Sequence, residues 1–330
     1  MGAFTALVLE EDGGSAIKTL DDDALPEGGV TVAVDYSSLN YKDGMVLNGL
    51  GNLVKSYPHV PGIDFAGTVE ESESLDFKPG DEVILTGWRV GETHWGGYAT
   101  RARVRPEWLV PLPQGLTLRR TMAIGTAGFT AMAAVMALEE HGLKAGGERQ
   151  VLVTGAAGGV GGVAVALLSN LGHRVAASTG RSEAHAYLKD LGAAAIIERT
   201  ELETPPKGPL GKERWAGAID TVGGSTLATV LAGLASWASC AAVGLAAGSK
   251  LETTLIPFLL RGVNLLGMAS ASCPHERRLK VWKRLAADMP LDKLDSITTV
   301  APLTQVTALG GKILQGQVRG RTVIDVRGAG

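Results

Sequence analysis

Val151-Leu152-Val153-Thr154-Gly155-Ala156-Ala157-Gly158-Gly159-Val160-Gly161 sets how the rest of this chain is read. An apolar, β-branched run ends at a cluster of small residues, and a helical pattern starts at once. Val160, Val163, Ala164, Leu167, Leu168 and Leu171 then fall on one face at helical spacing. A strand–turn–helix of this kind lets backbone approach a pyrophosphate closely, while the helix N-terminus points free N–H groups at the anion. The glycines Gly155, Gly158 and Gly161 are spaced Gly-x-x-Gly-x-x-Gly, offset from the commoner Gly-x-Gly-x-x-Gly. The strand before and the helix after therefore give the motif its meaning. Gly158, Gly159, Val160 and Gly161 are the candidate phosphate contacts, and an ordinary glycine-rich turn is the competing reading.

Outward from this stretch the chain divides by character. Val30, Val32, Val34 and Tyr36 alternate with Thr31, Ala33 and Asp35, the period of a half-buried strand. Phe77-Lys78-Pro79-Gly80-Asp81 reads as a turn into a strand at Val83-Ile84-Leu85. Gly96-Gly97-Tyr98-Ala99 and residues 105–113 suggest further short strands and loops. An antiparallel, barrel-like first domain fits this pattern. From Thr117 the chain turns Ala/Met-rich, and a helix is expected over 117–140, weakened at Gly125 and Gly128. Strands are expected at 150–154, 174–178, 194–197, 216–221 and 238–243, with helices at 160–171, 182–191 and 225–234. This alternation predicts an α/β domain built on a doubly wound parallel sheet. Residues 198–214, with Pro205, Pro206, Gly208 and Pro209, are expected as a surface excursion. The strand-like tail Gly320-Arg321-Thr322-Val323-Ile324-Asp325-Val326 would rejoin the first domain. The expected division is a β-rich domain over 1–117, a nucleotide-binding domain over 118–264, and an edge strand and return over 265–330.

Composition removes several classes of function. With 330 residues, a net charge of −3 and no long basic run, the chain lacks the electrostatic footprint of a nucleic-acid binder. Cys240 and Cys273, with no nearby Cys/His grouping, argue against a disulfide framework or a structural zinc lobe. Met1-Gly2-Ala3-Phe4-Thr5-Ala6 shows no basic leader or apolar core of a signal, and has Ala6 where myristoylation needs Ser or Thr. The Ala/Met-rich run 123–138 is shorter than a bilayer span and broken by two glycines. A cytoplasmic protein without membrane partners is expected.

The end of the second strand of the sheet selects the nucleotide. A site for NAD usually places Asp or Glu there to hold the ribose 2′-hydroxyl. This chain reads Ser178-Thr179-Gly180-Arg181-Ser182. A carboxylate would repel a 2′-phosphate, whereas a guanidinium and hydroxyls would bind it. One charge-assisted hydrogen bond, roughly 1.5–3 kcal/mol, shifts preference about tenfold or more. Thr179, Gly180 and Arg181 thus predict NADPH, and Arg199, after the third strand, would flank the adenosine end.

Several motifs in order, covering nearly the whole chain, make it resemble the medium-chain dehydrogenase/reductase superfamily, in its zinc-free quinone-reductase-like branch. They are Ser38-Leu39-Asn40-Tyr41-Lys42-Asp43, Pro61-Gly62-Ile63-Asp64-Phe65-Ala66-Gly67, Gly80-Asp81-Glu82-Val83, the Gly155 to Gly161 loop and Gly320-Arg321-Thr322-Val323. Leu85-Thr86-Gly87-Trp88, His94-Trp95-Gly96-Gly97, Gly125-Thr126-Ala127-Gly128-Phe129-Thr130-Ala131 and Trp215-Ala216-Gly217-Ala218-Ile219-Asp220-Thr221-Val222-Gly223 are similar, within that branch, to acryloyl-CoA reductases. The resemblance implies a GroES-like catalytic domain, a Rossmann domain, a cleft between them, and a homodimer joined through sheet edges near 264–268. Zinc-containing relatives carry Gly-His-Glu where this chain has Gly62-Ile63-Asp64, and a cysteine where Asn40-Tyr41 stands, so no catalytic zinc is expected.

No nucleophile elbow or His-Glu-x-x-His helix is present and the six histidines are scattered, which leaves hydride chemistry. The resemblance implies hydride transfer from NADPH to the β-carbon of a short 2-enoyl-CoA, acryloyl-CoA giving propanoyl-CoA. NADPH:quinone reduction and an idle NADPH-binding structural protein are the alternatives. By the same resemblance Tyr41 is the candidate catalytic residue and a cofactor contact, and Thr126 approaches the nicotinamide ribose or phosphate. Leu245, Ile256 and Ser270 would flank the nicotinamide, mostly through backbone. Some enoyl-thioester reductases of the superfamily place a tyrosine proton donor where this chain has Asn48-Gly49-Leu50-Gly51. Coenzyme A needs a basic surface, for which Arg89, Arg101, Arg319 and Arg321 are candidates.

Overall fold

In the computed structural model, which describes residues 2–328, the chain opens with short strands. They are β1 (Ala3–Leu9), β2 (Ser15–Asp21), β3 (Val30–Ser38), β4 (Asp64–Ser72), β5 (Glu82–Thr86), β6 (Arg101–Val104) and β7 (Val110–Pro111), with α1 (Tyr41–Leu47) between β3 and β4. Met1, where the N-terminal reading starts, lies outside the described residues. After α2 (Leu118–Glu140), strands and helices alternate: β8 (Gln150–Val153), α3 (Gly159–Asn170), β9 (Val175–Thr179), α4 (His185–Leu191), β10 (Ala193–Glu198), α5 (Arg199–Glu203), β11 (Trp215–Asp220), α6 (Gly224–Gly233), β12 (Ser239–Ala242), α7 (Ile256–Arg261) and β13 (Asn264–Gly267). The chain ends with α8 (His275–Asp288), α9 (Leu291–Ser296), β14 (Thr298–Pro302), α10 (Val306–Leu314) and β15 (Arg321–Asp325).

These elements make two units, one of residues 2–126, 271–286 and 294–328, the other of 127–270 and 287–293. In the first, β1 and β2 pair antiparallel, and a seven-stranded sheet runs β14-β15-β3-β4-β5-β7 with β6 also on β3. The alternation that marked β3 buries Val30, Val32 and Val34 against Phe65, Leu85, Leu109 and Ile324. The strand-like tail, as β15, lies antiparallel to β3. Gly96-Gly97-Tyr98-Ala99 forms a loop with one isolated bridge, Ala99 to Ala6 of β1. Its N–H groups reach the Val60, Pro61 and Gly62 carbonyls, and a Cβ on Gly97 would sit 2.4 Å from the Asp64 carbonyl.

The second unit is a six-stranded parallel sheet in the order β10-β9-β8-β11-β12-β13. Its strands read as short apolar runs because helices cover them, and Leu152, Ala176, Ala218 and Cys240 are buried completely. The strand order reverses between β8 and β11, so ligands are expected outside the C-terminal ends of those two strands. The expected surface excursion at 198–214 opens instead with α5, and the expected helix at 182–191 starts as one 3₁₀ turn. Among the described residues α2 is long and apolar enough to cross a membrane, so the limit drawn from 123–138 does not hold for the helix itself. Of its apolar window 94% is buried inside the protein. Of its two suspect glycines only Gly125 leaves helical geometry, at φ 52° and ψ −163°.

Candidate active site

The loop after β8 has the backbone geometry an anion needs. Gly155 adopts φ 56°, and a Cβ there would lie 2.1 Å from the Thr221 hydroxyl. Gly158 caps α3 without a side-chain hydrogen bond, so the first-turn N–H groups of Gly159, Val160 and Gly161 lack the intrahelical acceptors that later residues have. Gly161 lets helix and loop touch, since a Cβ would stand 2.4 Å from the Gly155 carbonyl oxygen and 2.6 Å from Ala156 Cα. Asp220 at the end of β11 lashes this loop down. Its carboxylate accepts the Thr154 hydroxyl at 2.6 Å and the Gly223 N–H at 2.7 Å, while Thr221 donates its N–H to Thr154 Oγ1 and its hydroxyl to the Thr154 carbonyl. Burial raises the Asp220 carboxyl above its ordinary range. A cradle that side chains would fill, beside free N–H groups at a helix end, fits a dinucleotide pyrophosphate.

Beside it, the ends of β9 and β10 gather the residues expected to choose the nucleotide. Thr179 pairs in register with Glu198, the residue before Arg199. The Thr179 hydroxyl accepts the Arg181 N–H at 3.1 Å. Arg199 lies across Gly180, its Nε only 3.1 Å from where a Cβ would be, and its side chain is 61% exposed while Nε reaches Glu203 at 2.9 Å. Thr179, Gly180, Arg181 and Arg199 thus share one corner with no carboxylate at position 181. Leu245 lies after β12 in a segment that runs beside 221–224, through the Ala247 N–H to the Val222 carbonyl and the Gly223–Gly248 bridge. Ser270 follows β13 and Ile256 opens α7, with its N–H on Thr254 Oγ1.

The first unit assembles a different kind of site around a buried carboxylate. Asp64, wholly buried, accepts Ser38 Oγ at 2.6 Å, Asn40 Nδ2 at 2.9 Å and the Thr126 N–H at 2.7 Å on one oxygen, and the Thr126 hydroxyl at 2.5 Å on the other. Gly125 makes room: a Cβ there would fall 2.7 Å from Arg321 Nη2 and 2.8 Å from Asp64 Oδ2. Arg321, buried as well, donates from Nε to the Ala123 carbonyl just before this kink. Asp43 lies close by. Its carboxylate accepts the N–H groups of Asn40 and Ile63. Burial first, then the Asp64 charge, push its pKa up to about 7. Tyr98 donates to the Ser38 carbonyl, and burial together with Asp43 and Asp64 raises its phenol pKa. The network fixes the first turn of α1, whose Tyr41 is 55% exposed rather than packed in the core.

A zinc ion does not fit here. Both Asp64 oxygens already accept protein donors, and the surrounding hydroxyls, amide and guanidinium are not the thiolate and imidazole set the ion prefers. Among the described residues no group of three or more His, Cys, Asp or Glu is placed to hold a metal. Two arginines raised from the sequence as coenzyme A contacts are committed elsewhere. Arg321 is buried, and Arg101 is paired with Asp22 and Glu70. Asp220, Asp64 and Asp43 had no assigned role in the sequence. The Asn40-x-x-Asp43 spacing, which suits a helix start, was the one signal available.

Comparison with known proteins gives consistent relatives. Residues 26–114 match the alcohol dehydrogenase GroES-like domain and residues 159–287 the zinc-binding dehydrogenase family. The acrylyl-CoA reductase AcuI of Ruegeria pomeroyi is 57% identical over 98% of this chain and 99% of its own. The yhdH oxidoreductase of Salmonella enterica, solved in complex with NADP, superposes with a TM-score of 0.94 at 49% identity over 97% of this chain and 99% of its own. Protein yhfP of Bacillus subtilis, solved with NAD bound, gives 0.95 at 42% identity over 98% of this chain and 100% of its own.

Proposed function

The chain belongs to the medium-chain dehydrogenase/reductase family of acryloyl-CoA reductases and quinone-oxidoreductase-like proteins, and from that premise we propose that it reduces acryloyl-CoA to propanoyl-CoA with NADPH. The observation that carries this reading is the likeness to an acrylyl-CoA reductase over essentially the whole chain, both units included. The cofactor is NADPH. Its pyrophosphate is assigned to the N–H groups of Gly159, Val160 and Gly161, and its 2′-phosphate to Thr179, Arg181 and Arg199. Bound there, NADPH supplies the hydride that the substrate β-carbon accepts.

A proton from water completes the α-carbon, and the chain's own groups stabilise the charge that develops before it arrives. As hydride adds, negative charge grows on the thioester oxygen, and a fixed donor at that oxygen is worth about 10²–10³ in rate. The exposed Tyr41 phenol is assigned that role. Thr126 has its hydroxyl proton committed to Asp64, so toward cofactor or substrate it acts as an acceptor. A homodimer and a cytoplasmic location complete the proposal. Support for the dimer comes from the free outer edge of β13 and from Leu255, Leu259 and Leu260, exposed on and beside α7. NADPH consumption measured with acryloyl-CoA and with quinones tests the reading. Turnover of acryloyl-CoA is expected; turnover of quinones alone would replace it with quinone reduction, and of neither with an idle nucleotide-binding protein.

A further inference from the structure

Two cations stand where folding alone disfavours them, both leaning on one carboxylate. Lys42 is the second residue of α1, where a positive charge opposes the unpaired N–H groups of the first turn. Arg89 holds φ 59°, a left-handed conformation natural to glycine and strained for an arginine. Trp88 shares that region, between Gly87 and Gly91 for which it is natural, so two residues of the turn are strained. Packing accounts for Trp88. The buried Arg278 guanidinium lies 5.1 Å from its ring centre and donates to the Thr86 carbonyl at 2.6 Å and hydroxyl at 2.9 Å. No such packing accounts for Arg89, whose side chain is 57% exposed and whose Nε is 3.9 Å from Glu92. Lys42 Nζ lies 3.0 Å from the other oxygen of Glu92, a side chain only 6% exposed. A nearly buried carboxylate thus steers two accessible cations together and leaves one positive charge uncompensated beside Tyr41.

The Arg89 carbonyl closes the turn by accepting the Glu92 and Thr93 N–H groups, but the turn does not need a cation there, and strained positions cluster at ligand sites. We propose that Lys42 and Arg89, steered by Glu92, bind the phosphates of the coenzyme A carrier, an inference that rests on the acyl-CoA reading above. Arg89 supplies a fork of donors suited to phosphate oxygens and Lys42 a point charge. Acryloyl is too small to position itself, so binding energy from the remote phosphates is what orients it.

The test compares coenzyme A with pantetheine, which has the same thiol arm but no phosphate. Calorimetry on the full-length protein needs no turnover. Wild type is expected to bind coenzyme A more tightly than pantetheine. Arg89→Gly, which relieves the backbone strain while removing the charge, is expected to lose about tenfold of that preference, and Lys42→Ala a similar factor. Arg89→Lys, equally strained but charged, is expected to keep most of it. In steady state, the ratio of kcat/KM for acryloyl-CoA to that for acryloyl-pantetheine should fall by the same factor. Equal affinities of wild type and Arg89→Gly for coenzyme A would overturn the proposal, as would equal losses on both substrates or a matching loss of NADPH affinity. Tight coenzyme A binding through these residues without reduction of acryloyl-CoA would instead remove the reductase reading and leave the phosphate site standing.

Discussion

The loop after β8 and the network around Asp64 are both tightly determined sites, yet they are determined in opposite ways. The loop is made by backbone and by absent side chains. Gly155 and Gly161 are there because any Cβ would collide, and the groups offered to a ligand are main-chain N–H. The Asp64 network is made by side chains that converge from β3, the segment before α1, β4, the kink in α2 and β15. The first site tolerates no added atoms; the second tolerates no lost acceptor.

Breaking the second kind should cost most. Asp64→Asn removes the buried charge and strands up to three of the four donors, since the amide keeps one acceptor oxygen. Losing one partner of a buried charged network costs about 3–5 kcal/mol. Chemical denaturation is expected to show a loss of that size, and a variant within 1 kcal/mol of wild type would show the network to be decorative.

Gly161→Val probes the first kind. Overpacking against the Gly155 carbonyl is expected to cost about 1–3 kcal/mol and to weaken NADPH binding in titrations. Gly158→Ala, with its nearest contact at 3.3 Å and an ordinary φ of −84°, should cost clearly less. Similar damage from both substitutions would mean that the loop is not shaped by close approach.

Asp43 sharpens the contrast through pH. Its folded pKa near 7 lies above the unfolded value of 3.8, so between these values the folded state holds more protons. Stability from this group is complete below about pH 4 and is lost as pH rises toward 7, with a slope of up to about 1.4 kcal/mol per pH unit. Asp43→Asn should flatten that part of the Tm-versus-pH curve. An unchanged slope would place the titration elsewhere.

The same contrast explains what the sequence disclosed. The β8 loop, the parallel sheet and the Arg181 corner were legible because each is written in neighbouring residues, as periodicity, small-residue spacing or a missing acid. Asp64 was visible only as a position where zinc relatives differ. Its bonds to Ser38 and Thr126 span 26 and 62 residues, which no local pattern reports. Glu92 was invisible for the same reason, being 50 residues from Lys42. Arg321 and Arg101 misled because an arginine in a sequence does not show whether its charge is already engaged. Of the short strands and loops expected around 96–99, only an isolated bridge of Ala99 to Ala6 forms, because the glycines there serve close backbone approach.

A smaller predicted effect bears most directly on the central assignment, that the corner formed by Thr179, Arg181 and Arg199 holds the 2′-phosphate of NADPH. Equilibrium titration of wild type and Arg181→Ala with NADPH and with NADH decides it. Tighter binding of NADPH by wild type, and about tenfold of that preference lost in the variant with NADH affinity little changed, is the predicted result. Equal affinity of wild type for the two nucleotides, or equal losses for both in the variant, would contradict it.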